Sequence, residues 1–303
     1  MRHLNIFILI ITCFFIQSAY AEDDNIYWYH ADFPPGSILT GVYAGQGHSN
    51  YLERYLKKRM PEYNHSDRSG NYGRILKQLA ETNGCCVTLI KTPEREKFIE
   101  YSNPVMLFLS AGLLILKSRL PEFERFMTDG GFISIEKILK NSNMKIGISK
   151  GRRYGGSADK LIDQYTGSNK IIIHYKRDLL EHLMKSVQSQ KAVDCTLGFA
   201  SEMLWLVSKG KIEDKFTFIP VLEIPKYTPI YAGCSKNEWG KKVIKKINAI
   251  IDGKCNEEYK RRYQKFIPKE EIARHDEYVT QFFENISQNG QIPNNKRTDL
   301  DLR

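Results

Sequence analysis

The chain has 303 residues, 42% of them hydrophobic and 12% aromatic, and its formal net charge is +10. This hydrophobic content is typical of a folded globular protein and excludes a disordered chain, and the length allows about two domains of ordinary size. The basic residues are spread along the chain without a nucleic-acid-binding motif, so we expect no nucleic-acid partner.

The chain begins with the pattern of an export signal. Arg2 precedes the apolar run 6–16, and small residues in an A-x-A arrangement follow at 18–21. A basic start, a short apolar core and small residues before a cleavage site define a secretory signal peptide, whereas roughly 20 apolar residues are needed to span a bilayer. We therefore expect cleavage after Ala21, which removes residues 1–21 and leaves a periplasmic protein.

The first third of the mature chain alternates between strand and helix patterns. In chain order these patterns predict a strand over 25–30, helices over 50–60 and 72–82, a strand over 86–90 and a long buried strand over 105–116. Asn83 and Gly84 end the second helix as a glycine C-cap does. Thr92 and Pro93 favour the start of a short helix.

The same alternation continues to the end of the chain. It predicts helices over 134–140, 157–165, 178–189, 239–252, 257–263 and 270–287, and strands over 145–149, 170–174, 192–197, 216–221 and 228–234. Strands and helices in this alternation predict an α/β fold with mostly parallel sheets.

Five cysteines remain after the predicted cleavage: Cys85, Cys86, Cys195, Cys234 and Cys255. In an oxidising compartment an odd number allows at most two disulfides and leaves at least one free thiol. We expect a single disulfide between Cys86 and Cys234; the alternative is several buried free thiols. Neither the cysteines nor the histidines show metal-ligand spacing, so we expect no metal and no cofactor.

Four segments, in this order behind a signal peptide, resemble a known family. They are Trp28 with Asp32-Phe33-Pro34-Pro35, Lys91-Thr92-Pro93-Glu94-Arg95-Glu96 with Tyr101-Ser102-Asn103-Pro104, Lys145-Ile146-Gly147-Ile148 with Gly151, and Ala192-Val193-Asp194-Cys195. Together they resemble the periplasmic solute-binding proteins of family 3, the class that includes polar amino-acid receptors. The Gly45-Gln46-Gly47 segment, and Cys234 with Trp239-Gly240, resemble an uncharacterised branch of it.

The resemblance implies a two-lobed periplasmic-binding-protein fold of type II, with two crossover strands between the lobes. It places lobe one over 22–108 and 206–290 and lobe two over 109–205, followed by a flexible tail over 291–303. It also implies a monomer that closes around a small ligand in the cleft between the lobes. The expected partner is an ABC permease or a membrane sensor.

The resemblance also suggests which arginines hold a ligand. Arg95 matches the family position that grips a ligand carboxylate, and a guanidinium can clasp a carboxylate through two parallel bonds. The alternative is a surface arginine paired with Glu94 or Glu96. Arg152 and Arg153 follow a strand on a loop that leads into a helix, where backbone N–H groups favour an anion; the alternative is a solvated basic loop.

Lobe one supplies the other expected ligand contacts. Trp28, Tyr29, Asp32 and Phe33 match the family's cleft edge, although Tyr29 and Phe33 are equally typical of a core. Thr88, at a position before the T-x-x-R turn where the family has small hydroxyl residues, and Thr92, which opens that turn, complete this part of the set.

One departure from the family pattern changes the expected ligand. Where amino-acid receptors place an aspartate for the α-ammonium group, this chain has Phe199, with Glu202 a turn further along. We therefore expect a carboxylate or another anion in place of an amino acid.

Enzyme functions are the alternatives to binding. Residues 147–151 formally read G-x-S-x-G, but the loop that follows does not suit a hydrolase nucleophile turn. Cyclohexadienyl dehydratases resemble solute-binding proteins, and such a site needs a general acid, for which Glu202 or Asp32 are candidates. A further alternative is a ligand-sensing partner of a membrane signalling protein.

Overall fold

The structure is a computed structural model that describes residues 24–176, 178–289, 292–293, 295 and 297. The predicted signal peptide lies outside these residues. Within the part of the chain that is described, no helix is both long enough and apolar enough to cross a bilayer.

The first sheet has five strands in the order β2-β1-β3-β10-β4. They are β1 (Asn25–His30), β2 (Asn64–Ser69), β3 (Cys85–Leu89), β4 (Ile99–Leu109) and β10 (Tyr227–Ser235). β1 is parallel to β2 and β3, whereas β10 is antiparallel to both of its neighbours, β3 and β4. Four of the five strands therefore run in one direction.

The second sheet repeats this arrangement in the order β7-β6-β8-β5-β9. Its strands are β5 (Ala111–Leu116), β6 (Ile146–Ser149), β7 (Ile171–His174), β8 (Cys195–Phe199) and β9 (Phe216–Pro220). β6 is parallel to β7 and β8, and β5 is antiparallel to β8 and β9. The predicted α/β fold with mostly parallel sheets is confirmed.

The helices pack on these sheets through their apolar faces. They are α1 (His48–Arg59), α2 (Tyr72–Glu81), α3 (Leu120–Glu124), α4 (Ile135–Asn141), α5 (Ala158–Tyr165), α6 (Glu181–Ser189), α7 (Ala200–Ser208), α8 (Glu238–Ile250), α9 (Gly253–Gln264) and α10 (Ile272–Asn289). In α2, for example, the Asn71 side chain caps the first turn by accepting the Arg74 N–H, and Ile75 and Leu79 are buried one turn apart.

Two short segments join the lobes. β4 continues into β5 through Ser110, and residues 221–226 lead from β9 back to β10. The Ser110 hydroxyl donates a hydrogen bond to the Pro225 carbonyl and so ties the two crossing segments together. These are the two crossovers expected of the type II fold.

The second lobe extends further along the chain than the predicted boundary at residues 205 and 206. β9 pairs with β5 from Gly112 to Leu116, and this pairing buries Phe216 and Ile219. The lobe therefore continues to Pro220. A second difference concerns the predicted tail, where Asn295 donates to the Tyr227 carbonyl at 2.7 Å, next to the second crossing segment.

The disulfide joins Cys85 to Cys234, and the predicted pairing of Cys86 with Cys234 is wrong. The register of β3 and β10 places Cys234 opposite Cys85, with their Cα atoms 4.1 Å apart, and places Gly233 opposite Cys86. Since side chains alternate along a strand, Cys86 points to the other face of the sheet. Among the described residues the free cysteines are Cys86, Cys195 and Cys255, all buried.

The C-terminal helices hold the strand that leads into the first crossing. The Tyr263 hydroxyl of α9 accepts the Leu109 N–H at 2.9 Å, and His275 Nε2 of α10 donates to the Leu107 carbonyl at 2.9 Å. The Tyr263 ring also stacks on Phe108 with a centroid distance of 4.7 Å. These contacts fix the end of β4, which forms one wall of the cleft.

Candidate functional site

A cavity of about 30 Å³ lies between the two lobes. Arginines, aromatic rings and aliphatic side chains from both lobes dominate its lining, which consists of Phe33, Tyr72, Thr88, Ile90, Arg95, Phe108, Arg152, Arg153, Phe199 and Ile230. Drug-sized ligands occupy pockets of about 300–1,000 Å³. The lobes are therefore close together, and the cleft in this arrangement has room for little more than water.

Arg95 joins the two lobes. It begins a short 3₁₀ turn after Pro93, and the Thr92 hydroxyl accepts its backbone N–H at 3.4 Å. Its guanidinium donates to the Ile90 carbonyl of lobe one and to the Gly151 carbonyl of lobe two, both at 2.7 Å. The side chain is 5% exposed, and burial lowers the pKa of this arginine from its ordinary value. Arg95 is therefore a cleft residue and not a surface arginine.

The loop after β6 approaches lobe one as closely as backbone allows. Gly151 has a φ of +77°, and a Cβ built on it would lie only 2.7 Å from the Gly73 nitrogen at the start of α2. Nearby, the Asn71 side chain donates to the Tyr175 carbonyl across the same gap at 2.5 Å. Only glycine satisfies both the backbone conformation and the space at position 151.

Arg152 is the second buried arginine, and it is neutralised within its own lobe. Its two terminal nitrogens donate to the two carboxylate oxygens of Glu202, one of them at 3.0 Å. Glu202 also accepts the Phe199 N–H at 3.0 Å. Burial opposes the charge on Arg152, but the Glu202 carboxylate outweighs it and raises the pKa of Arg152. Arg152 thus lines the cavity on the lobe-two side, and Glu202 holds it from behind.

Aromatic rings surround the Arg152 guanidinium. Its central carbon lies 5.4 Å from the Phe33 ring centre and 5.3 Å from that of Phe199, within the range of cation–π attraction. Phe33 and Phe199 also contact each other and Phe108, with centroid distances of 5.9 to 6.3 Å. This cluster comes from both lobes and makes the cleft largely apolar around its arginines.

Five of the residues predicted from the sequence line this cavity. They are Phe33, Thr88, Arg95, Arg152 and Arg153. Arg153 lies at the margin, where it forms an ion pair with Asp163 at 2.7 Å. The structure thus brings both predicted sets of arginines, one from each lobe, to the same cavity.

Two predicted aromatic residues belong to the core of lobe one instead of the cavity. Trp28 is fully buried, and its indole N–H donates to His65 at 3.0 Å on the sheet. The Tyr29 hydroxyl lies 3.1 Å from that of Thr82, at the end of α2. For Trp28 the prediction is corrected, and for Tyr29 the alternative, a core residue, describes its position.

The remaining predicted residues do not line the cavity but contact residues that do, or contribute to the contact between the lobes. Thr92 positions Arg95, and Glu202 is engaged by Arg152. Asp32 accepts the Leu39 N–H at 3.3 Å and forms a β-bridge with Asp178 of lobe two. It therefore contributes to the contact between the lobes and does not line the cavity.

The predicted set did not contain the other five lining residues, which are Tyr72, Ile90, Phe108, Phe199 and Ile230. The Tyr72 hydroxyl donates to the Thr88 carbonyl at 2.8 Å. This bond holds the first turn of α2 next to the cleft. A signal for Tyr72 was present, because it directly follows the N-cap Asn71 of a helix behind a strand. Phe108 and Ile230 sit in continuous apolar runs, where no sequence pattern separates a lining residue from a core residue.

One cluster of potential metal ligands lies outside the cleft. His30, Glu53 and Asp67 place a ligand atom each within 4.8 Å of one another. Lys57 donates to the carboxylates of both Glu53 and Asp67, and His30 bridges the same two groups at 3.0 and 2.9 Å. The oxygens are thus already neutralised, and the cluster is a network of ion pairs.

Comparison with solved structures identifies the architecture. The substrate-binding protein AbpA of an amino acid ABC transporter from Streptococcus pneumoniae, bound to L-arginine, is 14% identical with a TM-score of 0.60, covering 83% of this chain and 100% of its own. A putative L-cystine ABC transporter protein from Listeria monocytogenes is 16% identical with a TM-score of 0.59, covering 81% and 97%. The periplasmic VFT2 domain of BvgS from Bordetella pertussis is 12% identical with a TM-score of 0.58, covering 83% and 97%.

Sequence comparison adds no closer relative. No protein-family model matches the chain, and no curated protein is significantly similar to it in sequence. At identities of 12 to 16% the structural likeness shows the fold and leaves the ligand open. The chain thus has the two-lobed α/β fold of the ABC-transporter substrate-binding proteins, with its buried arginines in the cleft between the lobes.

Proposed function

We propose that this chain is an exported, periplasmic solute-binding protein that captures a small carboxylate-bearing anion between its lobes. The observation that carries this proposal is the composition of the cavity. Three arginines line it, and none of the described residues in its lining is an aspartate or glutamate. Arg152 and Arg153 are paired with carboxylates, whereas Arg95 has no carboxylate partner among the described residues and therefore attracts an anion. A guanidinium recognises a carboxylate in two-point geometry.

Arg95 is the residue that binds the ligand carboxylate in this proposal. A guanidinium has five N–H donors, and the bonds to Ile90 and Gly151 use two of them. A ligand carboxylate is a stronger acceptor than the Gly151 carbonyl, because it carries a full negative charge and accepts two parallel N–H bonds from a guanidinium. Ligand binding therefore exchanges an interlobe bond for a stronger bond to the ligand.

The ligand in this proposal has no ammonium group. Both oxygens of Glu202 are engaged by Arg152, and Oε2 also accepts the Phe199 N–H. A zwitterionic amino acid therefore finds no free carboxylate in the cavity, even though AbpA was solved with L-arginine. The rings of Phe33, Phe108 and Phe199 favour instead an acid with an apolar or aromatic body.

The same lining argues against the dehydratase alternative. That reaction needs a general acid over the ligand. Asp32 lies outside the lining, and both carboxylate oxygens of Glu202 accept hydrogen bonds from Arg152 and do not face the cavity. We therefore propose binding without chemical conversion, with an importer or a membrane sensor as the partner that receives the closed form.

A thermal-shift screen of residues 22–303 tests the proposal. The panel contains aromatic and aliphatic monocarboxylates, dicarboxylates, amino acids and neutral sugars. A ligand at about 100 times its dissociation constant stabilises the protein by about 2.7 kcal/mol, a shift of several degrees. We expect hits among the monocarboxylates that disappear in Arg95→Ala and persist in Arg125→Ala, a change of an exposed arginine outside the cleft.

Two results would contradict the proposal. If only neutral sugars stabilised the protein, and Arg95→Ala did not change this effect, the cleft would not be an anion-binding site. Chromatography would show whether a stabilising compound is consumed during incubation with the protein. Consumption would indicate an enzyme.

A further inference from the structure

The exposed Tyr43 of lobe one contacts Trp205 of lobe two, which places an exposed apolar side chain where the lobes meet. Five large apolar residues are exposed among the described residues: Val42, Tyr43, Tyr175, Leu204 and Ile292. Val42 and Tyr43 lie on the loop that precedes α1, and Leu204 lies on α7 next to Trp205. Large apolar groups that are exposed together mark a surface for interaction.

A groove of about 400 Å³ has Tyr43 in its lining and lies outside the cleft. Both lobes form it, and we call it the bridging groove. It is lined by Ile38, Tyr43, Gly45, Gln46, Arg54, Trp205, Lys209, Arg262, Lys265 and Phe266. Its size is within the range of pockets that hold a ligand or an anchoring side chain.

Three of the four cations that line this groove lack a carboxylate partner among the described residues. Arg262 pairs with Glu258 at 2.6 Å, whereas Arg54, Lys209 and Lys265 have no carboxylate partner among the described residues. Lys209 instead lies over the Tyr43 ring, 4.1 Å from its centre. A concave apolar surface with three unpaired cations is complementary to an acidic partner with an apolar anchor.

The walls of the bridging groove depend on the arrangement of the lobes. Ile38, from lobe one, packs into the hydrophobic cluster of lobe two, and the Tyr43 ring contacts the Trp205 ring at 6.5 Å. Arg54 and Lys265 belong to lobe one, while Trp205 and Lys209 belong to lobe two. A movement that separates the lobes therefore divides the groove.

We propose that the bridging groove binds an acidic segment of a partner protein, with an apolar side chain in the groove and carboxylates on Arg54, Lys209 and Lys265. The concave shape suits a peptide segment better than a flat membrane surface. Because both lobes supply the binding groups, the partner recognises the closed arrangement and stabilises it. This inference is independent of which ligand the cleft takes.

The test uses fluorescein-labelled peptides of 12 residues with alternating glutamate and phenylalanine, measured by fluorescence anisotropy with residues 22–303. We expect saturable binding that weakens as salt is raised. We expect at least a tenfold loss of affinity in the double variant Lys209→Glu, Lys265→Glu. Two reference peptides, one with lysine replacing glutamate and one with serine replacing phenylalanine, should bind at least tenfold more weakly than the acidic aromatic peptide.

The matched control is the double variant Lys137→Glu, Lys245→Glu. It makes the same change in net charge, with one exposed lysine in each lobe, and neither residue lines the groove. Retained binding in this variant supports the proposal. Equal loss in both double variants, or absence of peptide binding, overturns it. Binding to phosphatidylglycerol vesicles without binding to the peptide also overturns it, in favour of a lipid surface.

Discussion

Two arginines with the same degree of burial have different roles in the cleft. Arg152 has a buried carboxylate as its partner, so its charge is compensated inside lobe two. Arg95 has no carboxylate partner among the described residues, and its guanidinium donates to two carbonyl oxygens, one of them from the opposite lobe. A buried cation that is satisfied by dipoles alone retains attraction for an anion. This difference is why we place the ligand carboxylate on Arg95 and not on Arg152.

The Arg152–Glu202 pair leads to a prediction for stability. Removal of one partner of a buried ion pair leaves an uncompensated charge, which destabilises proteins by about 3–5 kcal/mol. Glu202→Gln should therefore lower the free energy of unfolding by about that amount, measured by urea denaturation. Asp163→Asn removes the partner of the more exposed Arg153 and should change it by about 1 kcal/mol or less. Similar losses in the two variants would contradict the assignment of Glu202 as a buried counter-charge.

At the scale of elements, α1 is joined to α9 through a buried histidine. The His48 ring lies 5.2 Å from the Phe108 ring and 5.4 and 5.5 Å from those of Tyr259 and Tyr263. Burial lowers the pKa of His48 to about 3, so the ring is neutral at neutral pH. The helices therefore pack against β4 around a group that must stay uncharged.

This packing predicts a loss of stability in mild acid. The unfolded chain takes up a proton at His48 near pH 6.5, whereas the folded protein resists it to about pH 3. Stability from this residue is present above pH 6.5 and falls towards pH 3, by up to about 1.4 kcal/mol for each pH unit. Urea denaturation at pH 7, 6, 5 and 4 measures it, and His48→Phe should reduce the slope by that amount. An unchanged slope in His48→Phe would contradict the prediction.

His30 does not disturb this measurement. Burial alone would lower the pKa of His30, but Glu53 and Asp67 outweigh burial and raise it. Its contribution is fully present below pH 6.5 and is lost only as the pH rises through the raised pKa of the folded state. The loss of stability between pH 6 and 5 therefore reports on histidines with lowered pKa values, His48 and His275 among them. Nearer pH 4, carboxylates with lowered pKa values, such as Glu258, add to the loss.

Element types were predictable from the sequence, whereas strand partners were not. The apolar run 105–116 reads as one long strand, but it is β4 and β5 of two different sheets, separated at Ser110. Apolar periodicity reports burial and not which neighbour buries the strand. The disulfide shows the same limit, because the choice between adjacent Cys85 and Cys86 depends on the register with β10.

For the molecule as a whole, the resemblance led to two lobes and to arginines from both in one cleft. It did not lead to the bridging groove or to the fit of Gly151 against Gly73, because these depend on distances between residues far apart in the chain. The predicted edge of lobe two also preceded β9, since nothing in the sequence of 216–220 indicates that its partner is β5. The groove, the Gly151 contact and the edge of lobe two all depend on contacts between segments that are distant in the sequence.

The contact at Gly151 gives a prediction for lobe closure. Gly151→Ala adds a methyl group that meets the backbone of Gly73, so the lobes cannot approach as closely. We expect a larger radius of gyration by small-angle scattering in the presence of ligand, and at least tenfold weaker binding of any hit from the carboxylate screen. Gly131→Ala is the control, because Gly131 has the same φ of +77° and open space around it. Equal effects of the two variants would show that backbone strain, and not lobe contact, is responsible.

The order of strands in the two sheets also determines the order in which the molecule can assemble as it is synthesised. Lobe two is one continuous segment, and its last strand ends at Pro220, so its sheet can be complete before β10 has been made. The first sheet remains in two pieces, since β3 and β4 are joined only by β10 between them. Until then Cys85 and Cys86 are neighbouring thiols without a partner. The insertion of β10 is therefore a single late step that completes the sheet and brings Cys234 opposite Cys85, and an oxidase that acted earlier would find no native pair to join.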